Sequence, residues 1–146
     1  MSITDLLMIL QTSMAPCVLI SGVGLLLLSM TNRIGRPIDR IRVLTHELRR
    51  AEGDQRRILL EEIDILYKRA ILLRVAVTFS ILSIFLAATI ILALFVTATS
   101  GASLEVVIEL LFSGSLLSLV VSLVLFLWDI QLGLESIKIE IDRWKS

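Results

Sequence analysis

The chain is poor in the residues that usually build catalytic and metal sites. Its 146 residues include one histidine, one cysteine, one tyrosine and two prolines. The single cysteine, Cys17, excludes an intramolecular disulfide framework and a multi-cysteine metal site. His46 has no second His or Cys ligand and is interpreted as a solvated helix residue, with a pH sensor or ligand as the alternative. Because phosphate-loop, paired-carboxylate and hydrolase motifs are also missing, we expect no enzymatic activity, no metal and no cofactor.

The sequence also lacks an excess of charge of either sign. Fourteen Lys and Arg balance fourteen Asp and Glu, and without a basic surplus we expect no nucleic-acid partner. Only 19% of the residues are charged, whereas 56% are apolar and the mean hydropathy is +0.91. A disordered chain is excluded because such chains are poor in Leu, Ile and Val. A soluble domain would leave too much apolar surface in water, so the composition indicates a membrane protein.

Three long runs without charge dominate the sequence. They cover residues 6–32, 75–104 and 110–128, and each reaches the roughly 20 helical residues that cross a bilayer core of about 30 Å. The first run is too long for a cleaved signal peptide and has no basic residue before it. We predict an all-α membrane protein, a single membrane domain over 1–146, with transmembrane helices at 6–32, 75–99 and 110–128. Cys17, inside the first helix, is interpreted as a small packing residue.

The basic residues are confined to two segments, and this predicts the orientation. Eleven lie between Arg33 and Arg74, and three follow Trp128. The charged residues elsewhere are all acids: Asp5 near the N-terminus and two glutamates in the connection at 100–109. The positive-inside rule then places residues 33–74 and the tail at 129–146 in the cytoplasm. The N-terminus and the connection are external, and Trp128 is expected as an interfacial anchor.

Residues 33–74 are predicted to form a helical hairpin. A 4-3-4-3 spacing of apolar positions occurs twice, at Ile34, Ile38, Ile41, Thr45 and Leu48 and at Leu59, Ile63, Leu66, Ala70 and Leu73. Such heptad-like seams are typical of paired helices. Residues 51–54 are interpreted as the turn, with Gly53 capping the first helix and Asp54 beginning the second. Gly35 and Pro37 indicate a kink or break where the first span leaves the membrane.

The tail contains a third seam of this kind. Its positions are Ile130, Leu134, Ile137, Ile141 and Trp144. Because an isolated amphipathic helix is marginal in water, it needs a partner. Three partners stay open at this point: the hairpin of the same chain, which would give a three-helix cytoplasmic bundle, another subunit, or the membrane surface.

Small residues recur at helical spacing along the predicted spans. Those best suited to helix packing are Ser21, Gly24, Ser83, Gly114, Ser118 and Ser122. Small side chains let helix backbones approach closely in lipid, so the pattern favours packing within the bundle. The alternative is a hydroxyl-lined pore, which would require a homo-oligomer because three helices are too few to enclose a water-filled path.

Two polar groups of residues lie near the predicted membrane surfaces. Outside, Glu105 and Glu109 are four residues apart near the start of the third span, where acids suit the helix dipole. In an oligomer the same pair would form an acidic outer mouth that attracts cations. Inside, a junction cluster comprises Asn32, Arg33, Arg36, Asp39 and Arg40. Its arginines share a face suited to anionic lipid headgroups, with Asp39 pairing one of them and Asn32 bonding across helices.

The junction and the span before it resemble a known family. The relevant residues are 16–29, which include the motif Pro-x-x-Leu-Ile-Ser-Gly, followed by Thr31-Asn32-Arg33-Ile34-Gly35-Arg36 and Asp39-Arg40. This pattern resembles an uncharacterised bacterial family of three-span integral-membrane proteins, a domain of unknown function. The motif covers about residues 14–50, and the three-span layout covers the whole chain. The resemblance implies a class of membrane protein but no activity and no catalytic residue.

These observations lead to one leading hypothesis and two alternatives. We expect a small non-enzymatic protein of the bacterial inner membrane that acts as a homo-oligomeric scaffold or interaction subunit. The alternatives are a homo-oligomeric ion channel with an acidic outer mouth and a lipid-interacting accessory subunit of a larger membrane complex. The expected partners are membrane lipids, further copies of the chain and other membrane subunits.

Overall fold

The computed structural model describes residues 3–100 and 104–145, with the side chains of all of these except 5 and 134–145. The regular structure in this part is helical: α1 (Ile3–Thr12), α2 (Met14–Leu48), α3 (Gly53–Ser100) and α4 (Glu105–Lys145). Three stretches are long and apolar enough to cross a membrane by length and composition: Leu6–Leu48, Gly53–Ser100 and Glu105–Gly133. The predicted helical class and the three candidate spans are confirmed. Four of the predicted tail-seam positions, from Leu134 onward, lie outside the described side chains.

The predicted first span is interrupted near its start. The sequence predicts one helix over 6–32, but α1 ends at Thr12 and Ser13 lies in a turn before α2 begins. The physical reason is Pro16, which has no amide hydrogen to donate to the Thr12 carbonyl and whose ring crowds the preceding turn. The Ser13 amide still donates to the Ile9 carbonyl at 2.9 Å. The interruption is local, because the Cys17 amide in turn donates to the Ser13 carbonyl at 3.2 Å, and Leu6–Leu48 is still one candidate span.

The second proline has a different effect. A kink or break is predicted at Gly35 and Pro37, and the helix is not broken there, since α2 continues through both residues to Leu48. Proline in a helix interior removes one hydrogen bond, here to the Arg33 carbonyl, and costs about 3 kcal/mol. Pro37 is buried, so packing around its ring offsets this cost and α2 remains one helix.

The chain divides into two compact units, each built from parts of several helices. The first comprises Met1–Leu28 and Thr78–Ser122, and its buried apolar side chains include Val23, Ala87 and Ile90. The second comprises Ser29–Val77 and Leu123–Ser146, and its buried apolar side chains include Met30, Leu44, Ala51, Leu59, Leu73 and Ala76.

The turn between α2 and α3 contains the one described residue with a positive φ. Gly53 has a φ of 59°, which glycine adopts without the steric cost that a Cβ would add. The predicted cap is displaced, however, because α2 already ends at Leu48 and Gly53 is the first residue of α3. Asp54 accordingly lies in the first turn of α3, where a carboxylate suits the helix dipole.

The two predicted hairpin seams pack over only part of their length. Near the turn, a hydrophobic cluster contains Leu48, Leu59, Ile63 and Leu66, together with Leu44 and Ala51, which the seam did not include. Farther from the turn, Leu73 is also buried, whereas Ile34, Ile38, Ile41 and Ala70 line an open groove. The predicted seam misses Leu44, which is fully buried, because its register is wrong. The buried positions from α2 into the turn lie seven residues apart, at Val23, Met30, Pro37, Leu44 and Ala51.

Candidate functional site

Five serines form the polar centre of the first unit, and we call them the serine cluster. They are Ser80 and Ser83 of α3 and Ser115, Ser118 and Ser122 of α4, and each is at most 5% exposed. Spacings of three and four residues put the members from each helix on one face. A hydroxyl buried among apolar side chains needs a hydrogen-bond partner, since an unmade bond is expensive there.

The serine cluster meets this requirement by bonding across the two helices. Ser83 Oγ donates to the Ser115 carbonyl at 2.9 Å, and Ser115 Oγ donates to the Ser83 carbonyl at 3.0 Å. The hydroxyls of Ser80 and Ser122 share a bond of 2.7 Å. Ser118 Oγ donates to a main-chain carbonyl of α3 at 2.8 Å. The hydroxyls therefore tie α3 to α4 rather than lining an open path in the single chain.

The predicted packing residues have different surroundings in the structure. Ser83, Ser118 and Ser122 belong to the serine cluster, and a methyl group added at Gly114 would lie 3.5 Å from Leu86 of α3. Ser21 of α2 is exposed, and its hydroxyl donates to the Cys17 carbonyl of its own helix at 3.0 Å. A methyl group added at Gly24 would meet open space. Among these six residues, the four on α3 and α4 lie where those two helices meet, whereas Ser21 and Gly24 of α2 lie on an open face.

The predicted acidic pair lies at the start of α4. Glu105 is in the first turn of the helix, and Glu109 follows one turn later; both side chains are exposed. This position suits the positive end of the helix dipole without any further partner. The geometry is equally compatible with the acidic mouth of an oligomer, for which the single chain provides one pair of carboxylates.

The arginines of the junction cluster all belong to α2 but make different contacts. The Arg33 guanidinium lies over the Phe126 ring, 5.5 Å from its centroid. Arg40 donates to Glu62 of α3 through both Nε and Nη2, at 3.2 and 3.1 Å. Arg36 and Asn32 are exposed, and no bond from Asn32 to another helix is seen among the described residues.

The predicted partner of Asp39 is also different. Asp39 lies 3.7 Å from Arg42, three residues later on the same helix, and both side chains are about three-quarters exposed. The expected partners are Arg33, Arg36 and Arg40, whereas the structure pairs Asp39 with Arg42. Such an exposed pair adds at most about 1 kcal/mol of stability.

A buried ion pair in the second unit was not predicted. Arg69 Nε lies 3.4 Å from Asp129 Oδ1, with the Asp129 side chain only 3% exposed and Arg69 22% exposed. A methyl group added at Gly133 would come within 2.7 Å of Arg69 Nη2, so the missing side chain at Gly133 makes room for the guanidinium. The sequence signal was weak: Asp129 is an acid directly after an uncharged span.

The residues that could carry chemistry stay apart in the structure. Cys17 is exposed rather than packed, because it lies on a different side of α2 from buried Val23. His46 is exposed on the last turn of α2. Within the described ranges, no group of three or more His, Cys, Asp or Glu side chains is placed to hold a metal ion.

Comparison with known proteins gives a family and no closer relative. No curated protein and no solved structure matches the chain. The family model for a protein of unknown function, DUF2721, matches residues 13–139. That range includes the serine cluster, the junction cluster and the Arg69–Asp129 pair, and it covers well over half of the sequence, so the chain belongs to the DUF2721 family.

Proposed function

We propose that the protein is a small non-enzymatic interaction subunit of the bacterial inner membrane that associates with further copies of itself. The observation that carries this proposal is the apolar surface of the charged hairpin, residues 33–74. Large apolar side chains there are 39–58% exposed, namely Ile38, Val43, Ile58, Leu60, Ile65, Tyr67 and Ile71. Under the positive-inside orientation this segment lies in the cytoplasm, where such a surface favours a partner.

Ile58 and Ile65 are the best candidates for contact between copies. They lie seven residues apart on one face of α3, exposed by 43% and 47%, with charged residues between them. This is the spacing of a coiled-coil seam. Full burial of an isoleucine is worth about 1.5–3 kcal/mol, so covering the exposed half of each contributes roughly 1 kcal/mol per residue.

The spans support the same proposal. Most of each span is not buried within the chain, since only 17–22% of the residues in each apolar window are buried. On α2, Ser21 is exposed and Gly22 and Gly24 have open space where a side chain would be. Small residues on an open face allow a neighbouring helix to approach closely in lipid.

The ion-channel alternative has less support. Its acids, Glu105 and Glu109, are exposed as an outer mouth requires. However, the hydroxyls of Ser83 and Ser115 bond to the facing helix, so lining a pore with them would break contacts that hold α3 to α4.

The mass of the protein in detergent or lipid nanodiscs tests the proposal. The wild type should be larger than a monomer, and the double variant Ile58→Ser, Ile65→Ser should shift it toward the monomer. Leu60→Ser is the matched control, because Leu60 is 47% exposed on another side of α3. A monomeric wild type would overturn self-association. Equal effects of the control and the double variant would overturn the choice of contact face.

A further inference from the structure

An open groove runs along α2 and α3 inside the second unit. Its volume is about 520 Å³, within the roughly 300–1000 Å³ that small-molecule sites occupy. Apolar side chains and one tyrosine form most of its lining: Ile34, Ile38, Ile41, Tyr67, Ala70 and Ile71. The lining is therefore mostly apolar, which suits a hydrocarbon chain.

Two arginines lie at opposite ends of this groove. Arg42 and Arg74 both belong to its lining and both are exposed. Because a short turn joins the end of α2 at Leu48 to the start of α3 at Gly53, and Arg40 contacts Glu62, the two helices run antiparallel. Arg42 is therefore at the end of the groove nearer the turn. From Ile34 to Arg42 the helix rises about 12 Å. An apolar floor with a cation at each end suits an amphiphile with a negative headgroup.

The groove starts where the apolar spans end. Arg74 directly precedes the uncharged run that begins at Val75, and Ile34 follows the first charged residue after the run at 6–32. Segments 33–42 and 67–74 contain one acid, Asp39, against seven basic residues: Arg33, Arg36, Arg40, Arg42, Lys68, Arg69 and Arg74. Four of these basic residues lie near an acid of the chain, namely Arg40, Arg42, Lys68 and Arg69. Even when those four acids are counted, the charge around the groove is positive. The Arg42–Asp39 contact is 3.7 Å long and highly exposed, so a phosphate can compete for the Arg42 guanidinium.

We propose that this groove binds an anionic phospholipid. One acyl chain lies along Ile38, Ala70 and Ile71, and the headgroup phosphate accepts hydrogen bonds from the Arg42 guanidinium. Arg74, at the membrane end, adds positive charge where the lipid enters. The charge complementarity is that of basic residues next to the anionic inner leaflet. This site does not depend on self-association.

A second copy of the chain is a poorer occupant. Two copies in one membrane stand parallel, so their grooves lie at the same depth, and a two-fold contact would bring like positions together. Arg42 would then approach Arg42 of the other copy, and Arg74 its equivalent. Like charges brought together in this way oppose association, whereas a lipid phosphate is attracted by the positive charge of the groove.

Native mass spectrometry of the full chain tests the proposal. Protein released from detergent is offered phosphatidylglycerol or phosphatidylcholine with the same acyl chains, and bound lipids are counted on the monomer peak. The wild type should retain phosphatidylglycerol in preference. Because each basic residue near the surface is worth about fivefold in affinity, Arg42→Gln with Arg74→Gln should weaken retention about 25-fold.

Three controls decide between explanations. Arg56→Gln with Arg57→Gln removes the same charge near the turn, from two exposed side chains outside the groove, and should leave retention within twofold. Ile71→Trp fills the groove without changing charge and should reduce retention. Equal retention of the two lipids, an equal loss in the control, or no effect of Ile71→Trp would overturn the proposal. Displacement of the lipid by excess inorganic phosphate would assign the site to free phosphate.

Discussion

The contact between Ser83 and Ser115 gives the sharpest test of the fold. Each hydroxyl donates to the other residue's carbonyl, at 2.9 and 3.0 Å, and both side chains are fully buried. A hydrogen bond between membrane helices contributes about 0.6 kcal/mol on average and at most about 1.7 kcal/mol. Ser83→Ala removes one of the two donors, so it should lower the free energy of unfolding by about that amount. Replacing both serines by alanine should cost about twice as much.

A larger side chain should cost more than the lost hydrogen bond. Leucine at Ser83 must fit where α3 and α4 are in contact, and overpacking of this kind typically costs about 1–3 kcal/mol in addition. The expected order of destabilisation is therefore Ser83→Leu, then the double alanine variant, then Ser83→Ala. Denaturant titration in mixed micelles, followed by tryptophan fluorescence, measures all three.

The control separates loss of a hydroxyl from loss of the contact between helices. Thr89 of α3 donates to the Phe85 carbonyl of its own helix at 2.8 Å, so Thr89→Val removes a hydroxyl without affecting α4 and should be close to neutral. Wild-type stability of Ser83→Leu would refute the close approach of α3 and α4. A double-mutant cycle for Ser83 and Ser115 with no coupling energy would refute the reciprocal bonding.

Three other predictions concern the turn, the N-terminal interruption and the orientation. Gly53→Ala should lower the free energy of unfolding by about 1 kcal/mol, because a Cβ is strained at a φ of 59°. Gln55→Ala, within α3, is the control and should leave the stability unchanged. Thermal unfolding of the two variants and the wild type measures the difference. Pro16→Ala should join α1 to α2, seen as slow hydrogen exchange of the new amide at position 16; fast exchange would show that something else causes the turn at Ser13. A fluorescent protein that folds only in the cytoplasm should be bright when fused to the C-terminus, and a dark fusion would reverse the proposed orientation.

The helical class could be predicted because uncharged runs of this length have the composition of helices that can cross a membrane. The sequence also marked Ser83, Gly114, Ser118 and Ser122 as packing residues, since small residues at helical spacing have few other uses in lipid. The spacing does not indicate which neighbouring helix each row of small residues faces. Ser21 and Gly24 follow the same pattern but remain open on α2, because lipid-facing and protein-facing surfaces are both apolar and differ little in composition.

The features that differ from the sequence-based prediction have two kinds of cause. Some depend on contacts between distant residues, and one depends on the local effect of a proline. Pro16 interrupts the first run, and the missing amide is visible in the sequence. Leu44 is buried although it lies outside the predicted seam, because the buried positions of α2 repeat every seven residues in a register that the apolar pattern does not single out. The pairing of Arg69 with Asp129 joins residues 60 positions apart, and no local spacing rule can connect them.

The distant pair Arg69–Asp129 also determines which residue is favourable at position 133. Alanine is favoured over glycine by about 1 kcal/mol in a helix interior, so Gly133→Ala in α4 should stabilise the helix when considered alone. In the wild type, however, the methyl group would lie 2.7 Å from Arg69 Nη2, so the guanidinium must shift, and its Nε contact with Asp129 is altered. Loss of one partner from a buried pair costs about 3–5 kcal/mol, and partial displacement at a 3.4 Å contact costs some fraction of this.

Gly133→Ala should therefore destabilise the wild type but stabilise a chain that already carries Arg69→Met and Asp129→Leu, as measured by thermal unfolding in detergent. The same sign in both backgrounds would show that Gly133 does not serve the ion pair.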